Sequence, residues 1–255
     1  MSTLLSVAII TFNEENNINR CIESVKMIAD EIVVLDSYSN DQTKEICLAQ
    51  GVSFFEHAFD GHIEQKNRVL SLTKHQHVLS LDADEALTEL AQEEILAVKQ
   101  HWSHDGYSFP RLNNYCGTWV KHSGWYPDRK LRLFDKTKGQ WQGQNPHDKY
   151  VINTGDVVKL KGDLLHYSFY TEQQHLDQID KFTQIGAEAL FAKGKPYSPF
   201  KKFLSAFAIF FGNYIVKLGF LDGDVGWKIA KNSMKAKLLK YNRLKQLHNE
   251  SNSSK

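Results

Sequence analysis

The stretch 78-VLSLDADEAL-87 runs out of an apolar strand into three carboxylates within four residues, Asp82, Asp84 and Glu85. Like charges packed this closely repel one another. The cluster is therefore either hydrated polarity at a strand end or a group that shares a cation.

Upstream, residues 5–10, 31–35 and 52–55 are further apolar runs, and residues 77–81 form the fourth. Between them, residues 15–29 have helical spacing, with Ile18, Cys21, Ile22, Val25 and Ile28 on one side. Residues 41–50 read as a second helix that Gly51 ends, and residues 62–72 as a third. Strands alternating with helices at this spacing predict a parallel sheet, in which ligands bind at the carboxyl ends of the strands. The polar clusters fall at those ends: 11-TFNEE-15, 36-DSYSND-41 and 82-DADE-85. Asn13, Asn40 and Asp41 also suit helix N-caps, so each position has a purely architectural reading beside the functional one.

Downstream, residues 87–99 have helical spacing, and the character of the chain then changes. Residues 106–170 are rich in Tyr, Trp, Phe and Gly, with strand-like pieces at 106–110, 130–134, 157–160 and 164–169. This pattern predicts an antiparallel extension of the parallel sheet. Trp119, Trp125 and Trp141 serve there either as sugar platforms or as packing.

From Thr171 the chain is helical. Residues 172–193 read as an amphipathic helix, Pro196 and Pro199 interrupt, and residues 200–220 are densely apolar with Lys201, Lys202 and Lys217 at the ends. That stretch is short of the roughly 20 apolar residues a bilayer span needs, and reads as lying in an interface. Residues 227–247 carry seven Lys/Arg beside Ile229, Met234, Leu238, Leu239 and Tyr241. They form either a basic amphipathic helix suited to an anionic membrane surface or a core helix with a solvated face.

Composition agrees with this division. The 255 residues are 42% hydrophobic and 24% charged, which fits one large globular domain or one domain plus an appendage. The net charge of +1 hides an asymmetry: residues 193–255 hold 13 Lys+Arg against 3 Asp+Glu, and the remainder holds 18 against 27. A body this acidic argues against nucleic acid as a partner. Cys21, Cys47 and Cys116 are an odd set without metal-site spacing, which suggests neither a disulfide framework nor zinc and fits a reducing compartment. The first 17 residues lack a basic region and a signal-length apolar core, and read as the first strand of the fold.

In order and spacing, 11-TFNEE-15, 34-VLDSYSND-41 and 81-LDADE-85 resemble the family 2 glycosyltransferases of the GT-A fold. Further on, 124-GWYPDRKLRLFD-135, 145-NPHD-148 and 218-LGFLDGDVGW-227 are similar to the bacterial subgroup that adds glucose to the lipopolysaccharide inner core. The resemblance reaches to about residue 245. It implies an α/β fold of GT-A (Rossmann-like) type: a mixed sheet with helices on both faces, plus C-terminal amphipathic helices. The implied domains are a catalytic one over residues 1–170, with 1–105 binding the nucleotide sugar and 106–170 facing the acceptor. A basic, membrane-associating helical region over 171–255 follows.

The same resemblance implies the chemistry. Asp84 would bind Mg²⁺ or Mn²⁺, hard cations that keep positions open for phosphate oxygens, and Asp82 would contact the donor. His166 stands where some relatives supply a second metal ligand. Thr11, Glu14 and Asp36 would line the nucleotide pocket, although Ser37 replaces the second acid that many relatives carry after Asp36. Lys66 and Asn67 would close over the base. Asp148 is the candidate catalytic base of an inverting reaction, with His147 orienting it. Arg129 and Arg132 would hold acceptor phosphates and Trp125 would be an acceptor platform. The expected donor is UDP-glucose and the expected acceptor a lipid A-core heptose, which places the enzyme in the cytoplasm, peripheral on the anionic inner face of the cytoplasmic membrane.

Two other enzyme classes fit less well. A haloacid dehalogenase phosphatase also uses Asp-x-Asp, but near its first strand and with a Thr or Val two residues on, where this chain has Ala86 on the fourth strand. A nucleotidyltransferase would carry a basic, Gly-rich loop after the first strand, where residues 11–15 are acidic. A non-catalytic membrane-surface module is the remaining alternative, favoured by the basic helices and opposed by the acidic cluster.

Overall fold

The structure, a computed structural model, describes residues 2–144, 147–153 and 155–253. Its first third is built of alternating elements: β1 (Leu5–Thr11), α1 (Ile18–Glu23), β2 (Glu31–Asp36), α2 (Thr43–Ala49), β3 (Ser53–Glu56), α3 (His62–Leu72) and β4 (His77–Asp82). β5 (Glu85–Leu87) and α4 (Glu89–Gln100) follow. The first four strands pair in parallel, in the order β3-β2-β1-β4, as continuous apolar runs with crossover helices require. The first helix is shorter than its spacing predicts, but the five residues of its stripe are all fully buried. Turns past Glu23 keep Val25 and Ile28 on the same face.

The aromatic middle section supplies β6 (Gly106–Tyr115), β7 (Thr118–Val120), β8 (Asp128–Asp135), β9 (Gly139–Gln144), β10 (His147–Ile152), β11 (Val157–Lys159) and β12 (Leu164–Phe169). β8 extends the sheet antiparallel to β4, and β6 pairs antiparallel to β8. The β9–β10 hairpin forms its own two-stranded sheet, which is not among the strand-like pieces read from the sequence. On one face, α1, α2 and α4 cover Leu5, Val7, Ile9, Leu79 and Leu81. On the other, α3 and the hairpin cover Ala8, Val33, Leu35 and Val78, with Phe134 stacked on Tyr150 at 3.5 Å.

Two compact units are present: residues 1–112 with 127–167, and residues 113–126 with 168–255. The expected division at residue 170 therefore leaves out the segment 113–126, which belongs with the C-terminal helices. Those helices are α5 (Glu172–Ala192), α6 (Pro199–Phe211) and α7 (Gly223–Ser253). Thr171 and Gln174 make a capping box at the start of α5, and Ser198 caps α6 with Pro199 in its first turn. In this second unit Trp125 leans on Tyr115, Phe169 and His175, while Asp222 accepts the backbone N–H groups of Lys121 and His122.

Candidate active site

The ends of β1, β2 and β4 lie side by side in the first unit, because parallel pairing puts Thr11 opposite Asp36 and Ile10 opposite Asp82. The loops after β1 and β2 are stitched together. Asn13 N–H donates to Ser39 Oγ at 2.8 Å, Asn40 N–H to Asn13 Oδ1 at 2.9 Å, and Glu14 N–H to Thr43 Oγ1 at 2.8 Å. Asn13 and Tyr38 both sit in the left-handed region, at φ 55° and 61°. Asn tolerates that conformation, whereas for Tyr it is a strained choice that the surrounding bonds enforce.

Each carboxylate of the opening cluster meets a basic side chain from a distant element, Asp82 and Glu85 sharing Arg132 and Asp84 facing His166. Arg132 Nη2 donates to Asp82 Oδ2 at 2.8 Å and to Glu85 Oε1 at 2.6 Å. Arg111 Nη1 is 3.7 Å from that same Glu85 oxygen. Lys66 Nζ is 3.0 Å from Asp82 Oδ1 and 2.8 Å from Asp148 Oδ2. Asp84 Oδ2 is 3.2 Å from His166 Nε2. The indole of Trp141 lies beneath both cations, 4.5 Å from Lys66 and 5.4 Å from the Arg132 guanidinium.

Secondary structure explains how this assembly is held. The pairing of β6 with β8 passes from Tyr107–Leu133 to Ser108–Leu131, leaving Arg132 as the extra residue of a β-bulge. The bulge turns Arg132 toward Asp82 and Glu85, where it is 3% exposed. β12 pairs with β5 so that His166 stands opposite Glu85, and Tyr167 N–H donates to Asp84 C=O at 2.9 Å. Asn67 fixes the hairpin: its Nδ2 donates to Trp141 C=O and its Oδ1 accepts Trp141 N–H, both at 3.0 Å.

Electrostatics follow from the partners. Burial opposes the charge of Asp82, but Lys66 and Arg132 outweigh it and hold the carboxyl well below the usual carboxylate range. Burial pushes Glu14 up to about 7, reinforced by the charges of Asp84 and Asp41 and opposed by its hydrogen bond from Asn17. Glu14 is thus within electrostatic reach of both Asp84 and His166.

Several expected roles meet a different geometry. Arg132 is enclosed by two acids rather than presented to an acceptor phosphate, because the bulge aims it inward. Arg129 is directed at main chain, donating to the carbonyls of Ser108 and Leu160 at 3.3 and 3.0 Å. Asn67 uses both ends of its amide on Trp141, so it ties the hairpin down instead of closing over a base. Lys66, from the same helix turn, is buried and does face the site. Asp36 is fully buried, and both its oxygens accept from Ser39, at 2.7 Å from N–H and 2.5 Å from the hydroxyl. Thr11 Oγ1 is buried at the end of β1 without a hydrogen-bond partner among the described residues. Asp148 belongs to β10, opposite Gly143. The His147 side chain, like Asn145 and Pro146, lies outside the described residues. Trp125 lies in the second unit.

Sequence reasoning did not assign Arg111 to the site, placed Glu85 in the acidic cluster without a partner, and left Trp141 between a sugar platform and packing. Glu85 carried a signal, its adjacency to Asp84; the other two are brought in by strand register and by the hairpin.

Among the described residues no group of three or more His, Cys, Asp or Glu is placed to hold a metal by itself. Asp84 and His166 supply two donors, partly open to solvent. Neighbouring ligands of an octahedral cation with bonds of about 2.1 Å stand about 3 Å apart, so the spacing of this pair fits a cation whose other positions are filled by water or phosphate oxygens.

The model of Glycosyl transferase family 2 matches residues 6–155, which contain every strand end of this cluster. The chain belongs to glycosyl transferase family 2. This family 2 enzyme is 28% identical over 254 residues to a glycosyltransferase of Rickettsia typhi, covering 95% of this chain and 87% of the relative. It is 26% identical over 200 residues to the lipopolysaccharide core biosynthesis glycosyltransferase LpsC of Rhizobium meliloti, covering 75% and 73%. Among solved structures, glucosyl-3-phosphoglycerate synthase from Mycobacterium tuberculosis, in complex with Mn²⁺, UDP and glucosyl-3-phosphoglycerate, superposes with a TM-score of 0.47 at 17% identity, over 77% of this chain and 82% of that one. The matched family makes the chain a glycosyltransferase, and its acidic residues stand at the carboxyl ends of parallel strands.

Proposed function

We propose that this glycosyltransferase moves a hexose, glucose from UDP-glucose, onto a heptose of the lipopolysaccharide or lipooligosaccharide inner core, with inversion at the anomeric carbon. The observation that carries this reading is the site geometry: Asp84 paired with His166 beside Asp82, and Asp82 linked to Asp148 through Lys66. The Rhizobium relative named for lipopolysaccharide core biosynthesis supports the choice of acceptor class. Transfer onto another bacterial surface polysaccharide is the alternative acceptor.

Asp148 accepts the proton of the attacking hydroxyl as the oxygen bonds to the anomeric carbon. The bond from that carbon to the diphosphate oxygen breaks, and its electron pair leaves with the nucleoside diphosphate. Lys66, 2.8 Å from Asp148, fixes the position of that carboxylate. Asp82, fixed by Lys66 and Arg132, is a rigid acceptor for donor hydroxyls. A divalent cation, Mg²⁺ or Mn²⁺, held by Asp84 and His166 would offset the charge gathering on the leaving diphosphate.

Calorimetry with UDP-glucose, UDP-galactose and GDP-mannose, with and without Mn²⁺, tests the donor side. Metal-dependent UDP-glucose binding that Asp84→Asn abolishes is the expected result. Absence of nucleotide-sugar binding under every metal condition overturns the transferase reading.

A further inference from the structure

α6 is amphipathic with its apolar side facing outward. Phe200, Phe203, Leu204, Phe207 and Phe211 recur at spacings of three and four, and are 75%, 62%, 55%, 65% and 47% exposed. The opposite side, with Ala206 and Ile209, packs inward. Beyond α6, Val216, Leu218, Phe220, Leu221 and Trp227 continue the exposed apolar surface. So many large side chains exposed on one short helix mark an interaction site.

α7 behaves in the opposite way. Its Ile229, Ala230 and Leu244 are buried, and its outer face carries Lys228, Lys231, Lys235 and Lys245. Of the two readings of this helix, the burial of Ile229, Ala230 and Leu244 favours a helix packed within the helical unit with a solvated basic face. α6 is left to make the apolar contact, and α7 offers charge.

We propose that the α6 face is a docking surface for a bilayer rich in anionic lipid, with α6 lying in the plane of the headgroup boundary. Charge decides the occupant. Between Glu188 and Asp222 the chain has no acid, but it has Lys193, Lys195, Lys201, Lys202 and Lys217, which flank the apolar face at both ends. Anionic headgroups complement that frame, whereas a second copy of the chain would bring the same lysines against them. The 13 residues of α6 extend about 20 Å, a length suited to lying along an interface, and no single described helix is long and apolar enough to cross a bilayer. The surface deepens the proposed function, and rests on it only for its purpose, which is to bring the site to a lipid-anchored acceptor.

The test is co-sedimentation of the full chain with vesicles of phosphatidylcholine alone and with 30% phosphatidylglycerol, next to UDP-glucose calorimetry on the same samples. Binding only to the anionic vesicles, weakened at least about tenfold by Phe203→Glu with Phe207→Glu, is expected. Donor binding unchanged in that variant shows that it is folded, and its loss of vesicle binding then reports on the face alone. A second measurement does not need a destabilising change: an environment-sensitive dye on Phe207→Cys, in a Cys116→Ser background, blue-shifts when the face enters the hydrocarbon boundary. Equal binding to both vesicles, no dye shift on binding, or a dimer in light scattering that the double Glu substitution splits would each overturn the proposal. Vesicle binding without donor binding in the wild type would leave the surface standing and remove the transferase reading.

Discussion

Lys66 Nζ stands 2.8 Å from Asp148 Oδ2 across 82 residues of chain, and the same ammonium contacts Asp82. One cation from α3 thus joins a strand end of the parallel sheet to the hairpin on its other side. Replacing Lys66 with Met leaves the largely enclosed Asp148 without its partner and is expected to cost about 3 kcal/mol of stability. Asp148→Asn should lower turnover by about 10²- to 10⁴-fold while UDP-glucose affinity holds. In chemical denaturation, the Lys66→Met/Asp148→Asn double variant should be more stable than the sum of the single changes predicts, by about 1 kcal/mol or more. Additive losses would show that the pair is not coupled.

Asn67→Ala removes both hydrogen bonds that hold the Trp141 main chain. A loss of about 1–3 kcal/mol is expected, since the Trp141 N–H and C=O lose the side chain that pairs them. Hydrogen exchange should show the destabilisation concentrated in β9 and β10. Because that hairpin carries Asp148, kcat should fall more than donor affinity; an effect on affinity alone would place Asn67 at the nucleotide.

The raised Glu14 carboxyl gives a pH signature. A group at about 7 when folded and near 4.5 when unfolded binds more protons in the native state, so it favours folding fully below the unfolded value. That contribution is lost as pH rises from about 4.5 through 7. Glu14→Gln keeps the shape without the titration, so its Tm advantage over the wild type should grow between pH 5 and pH 8. Parallel melting curves across that range would refute the assignment.

Asp84→Asn and His166→Ala should each remove the Mn²⁺ dependence of UDP-glucose binding, followed by calorimetry. Because both side chains are partly solvent-exposed, the melting temperature without metal should move little, under about 1 kcal/mol in stability. Retention of metal dependence in His166→Ala would leave Asp84 as the only one of the pair needed.

Local pattern carried much of this protein. Residues 62–72 are helical and residues 77–81 lie within a strand as their periodicity predicts, because a stripe of Val69 and Leu70 or a run such as VLSL specifies its own element. The parallel order follows from crossovers too long for hairpins, and parallel pairing in turn gathers Thr11, Asp36 and Asp82 at one edge. These relationships depend on near neighbours in the chain and are legible in sequence. The partners of the carboxylates are not. Arg132 reaches Asp82 through a bulge that exists only once β8 is registered against β6. His166 meets Asp84 through an antiparallel pairing across about 80 residues, and Asp148 meets Lys66 through a hairpin whose aromatic residues resembled loop packing. The sequence by itself determined which residues end the strands and how strongly they are charged, since both are properties of short segments. Only the tertiary structure decided which cation answers which acid and which helix turns its apolar side outward, because register, bulges and the burial of one face against another are settled by contacts between segments far apart in the chain.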